Sequence, residues 1–403
     1  MESQKIKIYK YRWLILAVFS LINAAIQMQW LTFAPVAREA RIFYDSTPMQ
    51  IDLLSMIFMG VFIIACIPAS FIIDKYGIRI GVGIGAVFTG VFGIFKGVFA
   101  DSYTMVVIAQ IGLAIGQPFI INAATKVAGQ WFPIKERATA VGIATMAQFI
   151  GIITVMILTP MLISQMSDGS YDLSGMLMKY GIFSAIAAVL FLLFIREKPP
   201  TSPSGEEYSE RILVIEGFKK IIRNRDMQIV MFMFFIGLGL FNAISTCIDQ
   251  VCEIKGLDID QTGLVGGIIL IAGIIGAVIL PILSDKYQKR KLFIIIGMVF
   301  MVPGLIGLTI FSNYVPMLVS SFILGFFLLG AGAPVSFQYS AEITWPAPES
   351  TSQGLLLLMG QISGILFIIG MNVLGMIPFM YVFIVLALIN VALSFRLKES
   401  KMM

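Results

Sequence analysis

Carboxamide side chains recur inside stretches that are otherwise apolar, and they are the residues of this sequence best equipped for chemistry. They are Asn23, Gln27 and Gln29, then Gln117 and Asn122, then Gln148, Asn242 and Gln361. A polar side chain in hydrocarbon costs free energy unless it faces a cavity or a partner. An ionised one at the centre of a membrane span costs about 2.5–3.5 kcal/mol on insertion scales. Carboxamides carry both donors and acceptors, so a set of them at similar depth fits a polar or zwitterionic organic solute better than a bare ion. Trp30 lies three residues from Gln27, on a similar helical face, and can add an aromatic wall. Each amide also has a plainer role open to it, a hydrogen bond to a neighbouring helix, and Asn390 is read that way.

Charges in the same stretches are few. Asp52 and Lys96 are placed for an ion pair near the outer ends of their helices. Asp249 either attracts a cation at an outer gate or is a solvated helix end. Lys126 either snorkels to the interface or supplies the counter-charge for an anionic substrate. Histidine is absent, which removes imidazole as ligand, base or proton relay, and there is no GxxxxGK[ST] loop to hold ATP. Three cysteines, Cys66, Cys247 and Cys252, form neither a disulfide framework nor a zinc spacing. No cofactor or metal is expected.

Gln148 and Gln361 belong to a passage that occurs twice. The first copy runs Trp131, Phe132, Pro133, Glu136, Arg137, Met146, Gln148, Gly151. The second runs Trp345, Pro346, Glu349, Ser350, Met359, Gln361, Gly364. The glutamates, methionines, glutamines and glycines of the two copies are each 213 positions apart. A constant offset across four residue types marks a duplicated unit of half the chain, the architecture of secondary transporters.

The elements that must position these residues are membrane helices. Of 403 residues, 58% are hydrophobic and 13% charged, too little polar surface to cover a water-soluble globule. Twelve apolar runs approach spanning length: 13–37, 49–73, 80–99, 104–128, 139–163, 175–195, 227–251, 263–284, 291–312, 316–341, 351–376 and 378–396. We number them spans 1 to 12. The run from Trp13 to Ala37 is too long for the apolar core of a signal peptide and is read as a span. The fold class expected is an all-α membrane protein of two pseudo-symmetric six-helix bundles, residues 1–195 and 227–403, joined by a polar cytoplasmic linker, 196–226. Glycines such as Gly81, Gly83, Gly85 and Gly263, Gly266, Gly267 provide close helix-packing surfaces. Placing both termini in the cytoplasm puts 22 of the 28 basic residues inside. The net charge of +5 is spread between the runs and forms no nucleic-acid patch.

The loop after span 2 reads Asp74, Lys75, Tyr76, Gly77, Ile78, Arg79, and the loop after span 8 reads Asp285, Lys286, Tyr287, Gln288, Lys289, Arg290. An acid at a helix end followed by a turn and basic residues can pair with neighbouring helix ends and hold two halves closed, or can be a plain positive-inside hairpin. With Glu136 and Arg137 of the repeated passage, Asp74, Lys75, Arg79, Asp285, Lys286 and Arg290 are the candidate gating residues. The loops resemble the signature loop of the major facilitator superfamily. They differ at Ser70 and Pro281, where that signature starts with glycine, and at Gln288, where the second copy would have glycine. The resemblance implies that spans 1, 4, 7 and 10 line a central path, with spans 5, 8 and 11 beside them. The family often has an arginine in span 4 for proton antiport. That region reads Gln110, Ile111, Gly112, which does not support the device.

A narrower resemblance, to the feline leukaemia virus subgroup C receptor-related solute carriers, covers most of the first half and parts of the second. It rests on Asn23-Ala24, Gln29, Ile51-Asp52, Leu54-Ser55-Met56, Lys96, Lys126, Trp131-Phe132 and Glu136. It rests also on Ala243-x-Ser245-Thr246 and on Thr351-Ser352-x-Gly354-Leu355-Leu356 with Gln361. That branch includes carriers of choline-like amines that use an aromatic cage. Gln27 stands where its span 1 tryptophan would be and Asn242 where its span 7 tyrosine would be, so choline itself does not carry over. Gln361 matches the branch's span 11 glutamine, and Gln148 falls at, or one residue from, its span 5 counterpart.

The candidate substrate-binding residues are therefore Asn23, Gln27, Trp30, Gln117, Gln148, Asn242 and Gln361, with Asp52, Lys96, Lys126 and Asp249 as charge partners. The expected function is facilitated or ion-linked transport of a small polar organic solute, cationic or zwitterionic and amine-like, by alternating access. The rival is an organic-anion exchanger using Lys126. A membrane receptor or sensor that binds without transport is more distant, and an enzyme is not expected. Compact loops and no targeting segment favour a prokaryotic inner (plasma) membrane, with a small-molecule substrate and the bilayer as partners and a monomer as the default.

Overall fold

The computed structural model describes residues 9–165, 171–201, 221–344 and 349–400, and these are helical almost throughout. Among the described residues ten helices are long and apolar enough to cross a membrane, and an eleventh, Tyr314–Gly330, is shorter. One of the ten, Pro48–Val98, runs for 51 residues. At 1.5 Å per residue that is about 75 Å, more than twice the ~30 Å hydrocarbon core, so it holds spans 2 and 3. The chain bends between them at Gly77, with φ 89° and ψ 176°. The expected twelve-helix fold is what forms.

By internal contacts the chain divides into two compact units. The first comprises Met1–Phe33, Glu39–Val155 and Met161–Ser209; the second comprises Ala34–Arg38, Met156–Pro160 and Glu210–Met403.

In the first unit, span 1 is the helix Tyr11–Trp30, shorter than its apolar run. The chain turns at 31–33 before a 3-10 segment, Ala34–Val36, which groups with the second unit, and a short helix, Ala37–Phe43. Span 2 begins with Thr47, whose side chain accepts from Gln50 N–H while Gln50 caps Thr47 in return, and Pro48 sits in the first turn. Span 4 is also broken: Tyr103–Ile121 ends at Asn122, and Ala124–Trp131 resumes the path. Span 5 lies within Ile134–Leu162 and span 6 is Ser174–Phe194, with a two-stranded hairpin, Ser164–Gln165 and Tyr171–Asp172, between them. Gly151 of span 5 sits against the carbonyl of Ala24, an approach no β-carbon would permit. This contact brings spans 1 and 5 together at the level of Asn23 and Gln148.

The second unit repeats several of these devices. Span 7 is Arg225–Thr246, capped by Asn224, and is followed by the short helix Ile248–Ile254. Span 8, Ile259–Tyr287, opens with the same reciprocal cap as span 2, made here by Asp258 and Gln261. Spans 9, 11 and 12 are Arg290–Ile310, Glu349–Leu374 and Met376–Arg396. Span 10 does not run straight through its apolar run. Tyr314–Gly330 passes into a π turn, Ala331–Val335, and then into Ser336–Thr344. Pro334 has no N–H to donate, and the Ser336 hydroxyl donates to the Ala331 carbonyl at 3.3 Å. Exposed side chains such as Ile64, Ile67, Phe71 and Val373 are large and apolar, as a lipid-facing surface requires. Trp345 and Pro346 of the second repeat lie outside the described residues, as do the side chains of Glu349 and Thr351.

Candidate functional site

Four of the sequence-identified amides meet in the first unit as two interhelical pairs. Gln117 Nε2 of span 4 donates to Gln27 Oε1 of span 1 at 3.0 Å. Gln148 Nε2 of span 5 donates to Asn23 Oδ1 of span 1 at 3.1 Å, and Asn23 Nδ2 donates in turn to Phe19 O at 2.9 Å. Gln27 and Asn23 are four residues apart, one turn of span 1, so the pairs stack along one face. Asn23, Gln27 and Gln117 are buried and Gln148 is half-buried. Gln27 Nε2, Gln117 Oε1 and Gln148 Oε1 bond no described residue. None of them is among the buried atoms lacking a partner, so all three retain contact with accessible space. One donor and two acceptors are thus presented outward. Trp30 is turned elsewhere: its indole N–H donates to Ser55 O at 3.2 Å and the Ser55 hydroxyl returns to Trp30 O at 3.3 Å, which fixes span 1 to span 2.

In the second unit, Asn242 Nδ2 donates to Gly360 O of span 11 at 3.1 Å. The adjacent Gln361 is half-buried and bonds no described residue. A separate apolar cleft, open on one side, lies between spans 7, 9 and 10, lined by residues including Met233, Phe234, Phe241 and Met298. None of the amides lines it.

The two signature loops are anchored within their own units. In the first, Lys126 Nζ donates to Ile73 O at 2.5 Å and Asp74 O at 3.0 Å and lies 3.5 Å from Asp74 Oδ1. A cation on the last carbonyls of span 2 complements the helix dipole. Glu197, just past span 6, accepts from Ile78 N–H at 3.1 Å, Arg79 N–H at 2.8 Å and Gln130 Nε2 at 3.1 Å, capping the start of span 3. Arg12 pairs with Glu136 at 3.0 Å, and Arg137 caps span 4 through Phe132 O at 3.2 Å and Gly129 O at 3.1 Å. Lys75 lies over the Phe71 and Tyr76 rings and Lys286 over Tyr287. In the second unit Arg290 bridges Asp285 and Glu342, the latter at 3.2 Å. Glu399, just past span 12, accepts from Lys291 N–H at 3.0 Å, as Glu197 does from Arg79 N–H after span 6.

A profile of the Major Facilitator Superfamily matches residues 12–368, with a further match over 253–400. The chain belongs to the Major Facilitator Superfamily. It is a multi-pass membrane protein of a family whose members are transporters of small molecules, not enzymes. It is 30% identical to solute carrier family 49 member A3 of Danio rerio, over 93% of this chain and 80% of that protein. It is 25% identical to the choline/ethanolamine transporter FLVCR2 of Homo sapiens, over 90% and 72%. The narrower resemblance read from the sequence is therefore borne out among its relatives. An MFS-type transporter of Caenorhabditis elegans, C09D4.1, is 29% identical, and the chain spans 64% of its length. A bacterial homologue of the human lysosomal transporter Spinster shares the fold, with a TM-score of 0.78 over 97% of each chain at 16% identity.

Three charges of this superfamily member have specific neighbours. Lys96 is fully buried, and Asp52 is not among its hydrogen-bond partners. Its ammonium donates to three neutral oxygens, Gln29 O at 3.4 Å, Thr32 Oγ1 at 3.2 Å and Gln110 Oε1 at 3.4 Å. The oxygens lie nearer to it than any carboxylate because span 1 ends beside it, at Trp30. Asp249 is neither solvated nor open to a free cation: it is fully buried against Arg38, inside the second unit. Lys126 is engaged at the end of span 2.

Sequence reasoning missed Arg12, Arg38, Glu197, Glu342 and Glu399. A signal existed for two of them. Arg196-Glu197 and Lys398-Glu399 are matching basic–acidic pairs just beyond the sixth and twelfth spans.

Proposed function

We propose that this major facilitator protein transports a small polar organic solute, amine-like and cationic or zwitterionic, by alternating access, and that the stacked amide pairs of spans 1, 4 and 5 bind it. The supporting observation is that Gln27, Gln117 and Gln148 each tie up one end of the amide in an interhelical bond and leave the other end free and accessible. This arrangement orients donors and acceptors before a solute arrives, which lowers the ordering cost of binding. Asn242 and Gln361 are proposed as second-unit contributors. The relatives named as choline/ethanolamine transporters direct the first substrates to try.

The test is flux of radiolabelled choline and ethanolamine into liposomes holding the purified protein. Gln27→Ala, Gln117→Ala and Gln148→Ala are each expected to raise KM about three- to tenfold, the worth of one neutral hydrogen bond of roughly 0.5–1.5 kcal/mol. Unchanged KM in all three variants would remove the site.

The organic-anion reading ranks lower because the Lys126 amine is already held by Ile73 O, Asp74 O and the Asp74 carboxylate. Lys126→Gln is expected to leave KM for an amine within about twofold, since the Lys126 amine is held at the end of span 2 and not by the amide pairs. Carboxylate flux in the parent protein that vanishes in this variant would reverse the ranking. Placement in a plasma membrane with cytoplasmic termini is part of the same proposal, supported by the distribution of basic residues.

A further inference from the structure

We propose that Lys96 is a resident cation: its ammonium fills an oxygen-lined monovalent-cation site at the end of span 1, so the protein carries in its own side chain the charge that a dissolved Na⁺, K⁺ or small ammonium ion would otherwise supply there. The idea is independent of which solute is transported.

An ammonium has three donors, and three acceptors meet it: Gln29 O and Thr32 Oγ1 from the end of span 1, and Gln110 Oε1 from span 4. Each acceptor is aimed by a second contact. The Thr32 hydroxyl donates its one proton to Met28 O at 2.8 Å, with Gln29 O 3.2 Å away, which turns its lone pairs toward the amine. Gln110 Nε2 donates to Leu54 O of span 2 at 3.0 Å, which fixes the opposite end of that amide toward Lys96. The Phe33 ring centroid stands 5.6 Å from Nζ, presenting an aromatic face to the charge. Gln29 O belongs to the last turn of the helix Tyr11–Trp30, where unpaired carbonyls and the negative end of the helix dipole favour a cation.

Oriented neutral oxygens at a helix end are among the elements from which transporters assemble alkali-ion sites. Gln29 Oε1 is a further oxygen of this junction, buried without a hydrogen-bond partner while its Nε2 is held by Tyr180 O and Ser184 Oγ. The lysine thus holds the break after span 1 in place, as a positioning residue.

The experiment is thermal unfolding of the purified full-length protein in detergent at constant ionic strength. The cation is Na⁺, K⁺, methylammonium, ethylammonium or bulky N-methyl-D-glucamine. The parent protein should unfold at one temperature in Na⁺, K⁺ and N-methyl-D-glucamine, and its own midpoint in each alkylammonium is the baseline subtracted from that of the variant. Lys96→Ala should unfold several degrees lower in N-methyl-D-glucamine, and at least one small cation should restore half of the loss or more in a saturable way. Lys96→Met, which fills the same path with an apolar chain, should lose stability without recovery. Equal midpoints for Lys96→Ala and the parent, or a loss identical in every cation, would overturn the proposal. If Lys96→Ala cannot be purified folded, Lys96→Arg and Lys96→Gln decide. Arginine should retain more than half the parent yield of monodisperse protein and glutamine should not; equality or the reverse order overturns it.

Discussion

Asp249→Ala is expected to be the most destabilising single change in the second unit, by about 3–5 kcal/mol, the cost of removing one partner of a buried ion pair. The Asp249 carboxylate has no exposed surface and the Arg38 side chain is 18% exposed, so water cannot replace what is lost. The pair is also densely bonded. Arg38 N–H donates to Asp249 Oδ2 at 2.6 Å, and Nε and Nη2 reach Oδ1 at 2.8 Å and 2.7 Å. Arg38 Nη1 donates to Leu257 O at 2.8 Å and Nη2 to Thr262 Oγ1 at 3.3 Å. Truncating the acid takes the carboxylate away from three Arg38 donors, the backbone N–H, Nε and Nη2. Replacing both members by apolar residues, as in Arg38→Met with Asp249→Leu, is expected to recover most of the loss, because two well-packed neutral side chains avoid the desolvation of two charges. Chemical denaturation of both single variants and the double variant measures the coupling. A single-variant loss below about 1 kcal/mol, the worth of an exposed pair, would show that water reaches it.

Gly77→Ala should cost about 3 kcal/mol or more and depress transport. Two effects add. The backbone at φ 89° and ψ 176° is a region open to glycine, worth about 1–3 kcal/mol of strain for any other residue. A β-carbon there would also overlap the Glu197 carboxylate and displace it from the N–H groups of Ile78 and Arg79. Hydrogen bonds to charged groups contribute about 1.5–3 kcal/mol each. Glu197→Gln keeps the shape and removes the charge, so it should fall between the parent and Gly77→Ala in thermal midpoint. The second loop supplies the control. Gln288 stands at the matching turn with φ 51° and ψ 44°, the left-handed conformation that a side chain can occupy at modest cost. Gln288→Gly is therefore expected to change stability by less than about 1 kcal/mol. An equal effect of the two substitutions would refute this account of the loops.

That contrast also shows how far the sequence could be read. The missing glycine at position 288 stood out as a departure from the signature, but only the backbone angles reveal that the two turns differ in conformation. Apolar run lengths located twelve spans because hydrocarbon thickness sets a minimum that composition alone can register. The same runs hid the breaks after Trp30, at Asn122 and at Ala331, since a broken helix can be as apolar as a straight one. The amides of spans 1, 4 and 5 could be found because polar groups are conspicuous in an apolar background. The pairing of Gln148 with Asn23 could not, because it depends on Gly151 letting span 5 reach Ala24. Lys96 was visible as a charge but was assigned to Asp52. Its neutral partners include a backbone carbonyl freed by the end of span 1, and sequence does not show which carbonyls a helix end leaves open. Glu197 and Glu399 stand at matching positions after each sixth span, a regularity the sequence carries although only the structure shows the backbone N–H groups they cap.

The π turn in span 10 changes how mutational scans of that segment must be interpreted. A single π turn takes up one residue more than an α turn, which advances everything after Val335 by one step of helical rotation, about 100°. A helical wheel drawn continuously from Tyr314 would therefore put Tyr339 and Glu342 on the wrong side. Accessibility measured by cysteine substitution along the segment should keep its 3.6-residue period but jump in phase at Pro334.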